Sequence, residues 1–335
     1  MLATPFSCPC RSMPPSGTPS HRASGSAFRW FAATYISCRR CNQTAMTMQT
    51  RTRKPGSGAG CAAAGAAALF AAFPGAAYGA CETQALRTAT VAQVMDGQTL
   101  RLEDGGGVRL IGALAPEAPR WWKGIKPWPP AERARRALEE LIGTSKVELR
   151  FAGGEMKRDR HGRFLAQLFV LRGAERIWAQ GEMIRRGLAQ AYSFRGHRAC
   201  ARDLQAYERQ ARAGRAGLWR SGKFAVLGAQ SVAALSKRRG VFQVVEGKVL
   251  SVGRTRKWSF VNFGADWKTD FTVAIRAGDR SRFQGSDLPL DQLAGKRVRV
   301  RGWIGRWNGP VIKATHPEQI TIVEEPGDAD AGNRK

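Results

Sequence analysis

Three short blocks concentrate the residues able to act on a phosphate ester. They are Met95-Asp96-Gly97-Gln98-Thr99, then Arg109-Leu110-Ile111-Gly112-Ala113-Leu114-Ala115-Pro116-Glu117, then Asp159-Arg160-His161-Gly162-Arg163. A phosphodiester carries negative charge that must be neutralised as water attacks phosphorus. A site that cleaves it therefore needs cations, a carboxylate to handle the water proton, and usually a metal ion. Arginine suits the first task because its planar guanidinium bonds two phosphate oxygens at once.

Positioning these blocks falls to short apolar or alternating runs at 91–94, 99–102, 108–111, 147–151 and 164–170, bounded by Gly-rich turns and read as strands. They suit a small closed barrel. Pro129-Pro130 opens a helix in which Ala134, Leu138, Leu141 and Ile142 recur at helical spacing until Gly143 stops it. Two later helices are expected over 177–188 and 203–212, the second with Leu204, Tyr207 and Ala211 on one face.

In this order and spacing the blocks resemble the thermonuclease (staphylococcal-nuclease-like) family, whose pattern runs D-G-D-T, R-L-x-G-x-D-x-P-E and D-x-x-G-R, over residues 87–222. The resemblance implies a mainly β fold with α: a five-stranded barrel of the oligonucleotide-binding (OB) type with three helices. It implies that Arg109 and Arg163 clamp phosphate and that Glu117 activates the water, so these three are the candidate catalytic residues. It also implies calcium, held by the second Asp of the first block, the Asp of the second block and the carbonyl after it. Here those positions carry Gln98, Leu114 and Ala115. Gln98 retains a neutral oxygen, Leu114 offers no donor, and Asp96 is the remaining nearby anion besides Glu117. Calcium takes six to eight hard oxygens, anionic ones foremost, so Asp96 and Gln98 are weak candidate ligands and calcium is expected to bind weakly or not at all. Without metal, Glu117 between two arginines is expected to form ion pairs rather than act as a strong base.

The chain has 335 residues and a net charge of +28, which suits polyanionic partners such as nucleic acid or an anionic envelope surface. The first 80 residues hold eight Lys or Arg and no acid, so residues 81–335 keep +20 of that charge. Residues 1–45 match no leader pattern and read as disordered or as lying upstream of the true start codon. Residues 46–80 have the order of a signal peptide: Arg51, Arg53 and Lys54, an Ala/Gly-rich apolar run, then small residues. That run is too short for a membrane-spanning helix. An exported protein, periplasmic or secreted, is the expectation. Cys8-x-Cys10 and Cys38-x-x-Cys41 have zinc-like spacings but no surrounding core sequence. Cleavage after Ala80 leaves Cys81 and Cys200 to form a disulfide, with lipidation of Cys81 as the alternative.

Residues 223–239 read as a linker. Residues 240–324, with expected strands over 242–252, 259–263, 271–275, 296–303 and 320–323, read as a second small all-β, OB-like domain. A disordered tail is expected over 325–335. Interleaved aromatic and basic side chains nominate nucleic-acid contacts at Arg120, Trp121, Lys123 and Lys126 in the first domain and at Arg254, Lys257, Trp258, Arg301 and Trp303 in the second. Single-stranded DNA or RNA is the favoured ligand. Two functions compete: a nuclease, favoured by the resemblance, and a non-catalytic binding protein at the envelope, favoured by the replaced calcium ligands.

Overall fold

The structure, a computed structural model, describes residues 81, 83–119, 122–151, 156–284, 286 and 288–323. The expected leader, the upstream segment, its cysteine pairs and the C-terminal tail lie outside the described residues. All the described residues fall in one compact unit. It is mainly β, with a few helices and two separate hydrophobic cores, which define two lobes.

In the first lobe, strands β1 (Gln84–Ala89), β2 (Val91–Asp96), β3 (Thr99–Leu102), β4 (Gly107–Leu110) and β5 (Ala113–Leu114) precede helix α1 (Pro129–Ile142). Then come β6 (Val147–Phe151), β7 (Phe164–Arg172), β8 (Glu175–Trp178), α2 (Ala179–Arg185), β9 (Gln190–Ala191) and α3 (Ala201–Ala213). The main sheet runs β1-β6-β7-β4-β3-β2, with β8 on β7, and β4 lies parallel to β7. Strands β1 and β2 end opposite edges of this path, yet only Thr90 separates them in the chain. Helix α1 begins at the Pro pair, where a missing backbone donor costs nothing. It buries Ala134, Leu138, Leu141 and Ile142, the stripe its sequence predicts. The helix expected over 177–188 is shorter at both ends: residues 177 and 178 extend β8, and Gly187 with positive φ ends the turn.

The second lobe contains β10 (Leu227–Gly228), α4 (Val232–Ser236), β11 (Phe242–Lys248), β12 (Ser251–Arg254), β13 (Trp258–Asn262) and β14 (Thr272–Arg276). It ends with α5 (Arg280–Gln284), β15 (Arg297–Trp307), β16 (Gly309–Ala314) and β17 (Ile320–Ile322). Its sheet runs β10-β11-β15-β16-β14-β13-β12, with β17 on β15 and β14 parallel to β16. Again the two halves of one stretch, β11 and β12, occupy well-separated places in the path. The segment read as a linker carries β10 and α4, and Leu235 of α4 is fully buried in the second core.

Polar groups join the lobes. Glu208 of α3 is fully buried and pairs with Arg301 of β15 at 2.9 Å. Arg301 Nη1 also donates to the Ala191 carbonyl, and the Ala191 N–H donates to Glu208. His316 Nε2 meets Ser193 Oγ at 2.7 Å, and Arg198 pairs with Glu318. Cys81 and Cys200 are joined by a disulfide that ties the start of the first lobe to the head of α3.

Candidate phosphate-binding site

Gly97 is where the first block meets the second. A side chain there would lie 2.7 Å from the Cβ atoms of both Ala115 and Ala134, so only glycine lets the β2–β3 turn press between the 113–115 segment and α1. That approach brings Gln98 against the second block. Its side chain is buried at 1 % exposure, and both ends of the amide are used. Gln98 Nε2 donates to Glu117 Oε1 at 3.0 Å, and Gln98 Oε1 accepts the Ala115 N–H at 3.2 Å. The Gln98 N–H donates to Asp96 Oδ1 at 2.8 Å. A buried amide fully paired in this way is a stable arrangement.

Leu114 lies in β5, 9 % exposed and paired with Gln190 of β9. Asp96 and Glu117 are exposed. Among the described residues, no group of three or more His, Cys, Asp or Glu is placed to hold a metal ion. No helix among them is long and apolar enough to cross a membrane.

The two arginines share one sheet face. Along β4, Val108 and Leu110 enter the core, so Gly107 and Arg109 point outward. A Cβ at Gly107 would lie 2.9 Å from Arg163 Cγ, so the stem of Arg163 crosses the same face two residues from Arg109. Arg109 pairs in register with Thr99 on β3 and Leu165 on β7, and the Leu110 N–H donates to the Gln98 carbonyl at 2.8 Å. These links set Arg109 one strand away from the residue that follows Gln98. Exposed Arg101 of β3 stands on that face too, opposite Gly107. Outward alternation along β3 and β4 thus turns Arg101 and Arg109 to one side, and the bare Gly107 lets Arg163 join them.

Arg163 is held by Asp159, whose Oδ2 accepts from Arg163 Nε at 2.7 Å while Oδ1 accepts the backbone N–H groups of His161 and Arg163. Burial pushes the Asp159 carboxyl upward, but the Arg163 and backbone hydrogen bonds outweigh it and hold the group below its ordinary value. The ion pairs expected between Glu117 and the arginines are not those found. Among the described residues, Glu117 is bonded by Gln98, a neutral donor where the family pattern has an acid, and Arg163 by Asp159 four residues before it. Arg109 has no ion-pair partner among the described residues. Its field acts on Tyr192, where burial raises the phenol and Arg109 opposes that rise.

Tyr192 is a neighbour of this site that sequence reading passed over. It stacks on Phe194 at 5.6 Å and meets Phe242 of the second lobe edge-on at 6.2 Å. The aromatic alternation Tyr192-Ser193-Phe194 beside β9 was the available signal.

The proposed nucleic-acid residues divide. Arg120 and Trp121 lie outside the described residues. Lys123 and Lys126 are exposed, on a loop where Trp122 Nε1 donates to the Lys126 carbonyl. Trp128 turns inward, packing on Phe224 with Lys223 over its ring. Arg254 and Lys257 are exposed, Trp258 is half-buried, and Trp303 is 55 % exposed against Phe242. Arg301 is not a surface contact: it is 2 % exposed and spent on Glu208. Alternation did turn it away from its own core, but the other lobe covers that side.

No curated protein matches the chain. Residues 107–221 match the family model described as Staphylococcal nuclease homologue, which identifies an SNase-type domain in the first lobe, spanning the second and third blocks and lying just after Gln98.

Proposed function

We propose that this chain is an exported protein that binds nucleic-acid phosphates on the β3–β4–β7 face through Arg109 and Arg163, with phosphodiester hydrolysis slow and independent of calcium. One observation carries the reading: the Gln98 amide donates to Glu117 and accepts from Ala115. A neutral N–H donor thus engages the very carboxylate that calcium would need, and Leu114 supplies no donor atom at its place in the second block. Calcium gives up hydration only for hard, largely anionic oxygens. Asp96, Glu117 and one amide oxygen already bonded to Ala115 do not fit it.

The same bond occupies one oxygen of the carboxylate that a general base would turn toward water. The Glu117 carboxylate, if it deprotonates water, does so without help from a metal. Arg109 is the phosphate ligand best free to act. Non-catalytic capture of nucleic acid is the second reading, favoured by this engaged carboxylate.

Each sheet reads as a closed barrel of the OB type. In both, the first long strand is split (β1/β2 and β11/β12) and the order of the remaining strands sets its two halves far apart in the path, at its two ends in the first sheet and at one end and next to the other in the second, so the sheet must curl to keep them connected. Export is supported by the Cys81–Cys200 disulfide, which persists in oxidising compartments and leaves no Cys81 thiol for lipid. Single-stranded nucleic acid is the preferred partner, and an anionic envelope surface is the weaker alternative.

The test incubates the purified chain and its Gln98→Asp, Leu114→Asp double variant with single-stranded and duplex DNA, in calcium or chelator. Calcium-stimulated cleavage is expected only in the double variant. Calcium stimulation of the native chain overturns the reading.

A further inference from the structure

The second lobe repeats the strand order of the first, and its equivalent face is not blank. In the first lobe Arg101 and Arg109 stand on β3 and β4 and Arg163 immediately precedes β7, with β4 parallel to β7. The corresponding strands are β13, β14 and β16, with β14 parallel to β16. Along β13, Ser259 and Val261 are buried, so Trp258, Phe260 and Asn262 point outward. Register places Arg276 opposite Trp258, Ala274 opposite Phe260, and Lys313 beside Ala274. Trp307, at the end of β15, lies edge-on to both Trp258 at 4.9 Å and Phe260 at 5.4 Å. Lys313 Nζ stands 5.9 Å from the Trp258 ring.

In register with these strands stand the short, buried side chains of Ala274, Val311 and Thr272, while Trp307 itself keeps 39 % exposure. Around them Arg254, Arg256, Lys257, Arg276, Arg306 and Lys313 are exposed. Strands β12, β13, β14 and β16 contain no Asp or Glu. Acids flank β14 on both sides and are engaged: in the loop before it Asp266 bonds Thr269 and Asp270 accepts the Asp266 N–H, and after it Asp279 pairs with Arg282.

We infer that this face is a second nucleic-acid site, for single strands, in which Trp307, with Trp258 and Phe260, stacks unpaired bases while Lys313 and Arg276 meet the phosphates. Rings bordered by cations answer both halves of a single strand: π faces for bases and positive charge for the backbone. Duplex DNA keeps its base faces stacked and cannot use the platform. The site shares with the proposed function only the premise that the chain meets nucleic acid. Neither Arg109 nor Arg163 belongs to it.

The experiment measures fluorescence anisotropy of a labelled oligothymidylate of about 12 nucleotides, a usual footprint for such surfaces, titrated with the full chain across salt concentrations. Trp307→Ala is expected to weaken binding about tenfold, with Trp307→Phe close to native. Lys313→Glu is expected to weaken binding and to flatten the salt slope by about 0.7 or more. Lys313→Glu should melt like the native chain, since Lys313 is exposed, and Trp307→Phe, which keeps a ring against Trp258 and Phe260, separates loss of stacking from loss of packing in Trp307→Ala. Arg109→Ala with Arg163→Ala is expected to leave the oligonucleotide-induced quenching of tryptophan fluorescence intact. Native-like oligonucleotide affinity in both Trp307→Ala and Lys313→Glu overturns the inference. So does a loss confined to binding of phosphatidylglycerol vesicles, which would assign the face to lipid. If instead Trp307→Ala loses affinity while the Arg109/Arg163 variant does not, the second site stands and the first-lobe phosphate reading fails.

Discussion

Replacing Arg301 by Ala separates a structural arginine from a nucleic-acid contact. Glu208 is fully buried and receives the Ala191 N–H at 2.8 Å, Arg301 Nη1 at 2.9 Å and Arg212 at 3.4 Å. Breaking a buried pair by removing one partner typically costs about 3–5 kcal/mol, because the other charge is left without compensation. Here Arg212 remains to balance Glu208, which places Arg301→Ala at the low end, about 3 kcal/mol. Glu208→Gln should cost more, since it leaves two buried guanidinium groups facing a neutral amide. A unit of this size loses about 2–4 °C per kcal/mol, so Arg301→Ala should melt roughly 6–12 °C below the native chain by circular dichroism. Its salt slope for oligonucleotide binding should match the native value, because a lost phosphate contact would lower it by about 0.7–0.9. A variant that melts like the native chain but shows the reduced slope refutes the assignment and returns Arg301 to the binding surface.

His316 should make stability pH-dependent. Burial, with Arg198 and Arg282 adding repulsion, lowers its pKa to about 4, so it stays neutral between Ser193 and Thr315. The unfolded chain takes up the proton near 6.5 while the folded one does not, so stability falls as pH drops from about 6.5 to about 4. The shift corresponds to about 3 kcal/mol. Chemical denaturation of the native chain and a His316→Gln variant at several pH values checks this; equal pH profiles contradict it. Cys200→Ser should lower stability by about 2–4 kcal/mol, with a chain-entropy ceiling near 5, because the bond spans 119 residues; unchanged melting would disprove it. Gly187→Ala should cost about 2 kcal/mol or more, since φ is +68° and a Cβ would lie 2.2 Å from the Ala216 carbonyl oxygen. A native-like denaturation midpoint would show that the α2 end relaxes freely.

The two lobes carry the same strand order with different chemistry on the equivalent face. In the first, β3 and β4 present Arg101 and Arg109, with Arg163 crossing Gly107. In the second, β13 presents Trp258 and Phe260. One inter-lobe contact runs through β9, next to Tyr192: Arg301 of the second lobe donates to the Ala191 carbonyl while the Ala191 N–H donates to Glu208.

Where an element's signal is local, the sequence sufficed. The α1 stripe and the strands at 99–102 and 147–151 follow from periodicity and turn chemistry that neighbouring residues decide together, while the motif blocks were legible only through their resemblance to a family pattern. Strand β1 escaped notice because it is an edge with scant burial and so no alternation. Strand β16 was hidden by Asn308-Gly309-Pro310, which reads as a loop but forms a tight hairpin, with Asn308 at positive φ. Only the tertiary structure decided which charges meet. Gln98 and Glu117 are 19 residues apart, and Arg301 and Glu208 are 93. Alternation along a strand records which side of it turns away from its own core. Whether water, a substrate phosphate or another lobe lies on that side is settled by packing between distant segments, which no local pattern encodes.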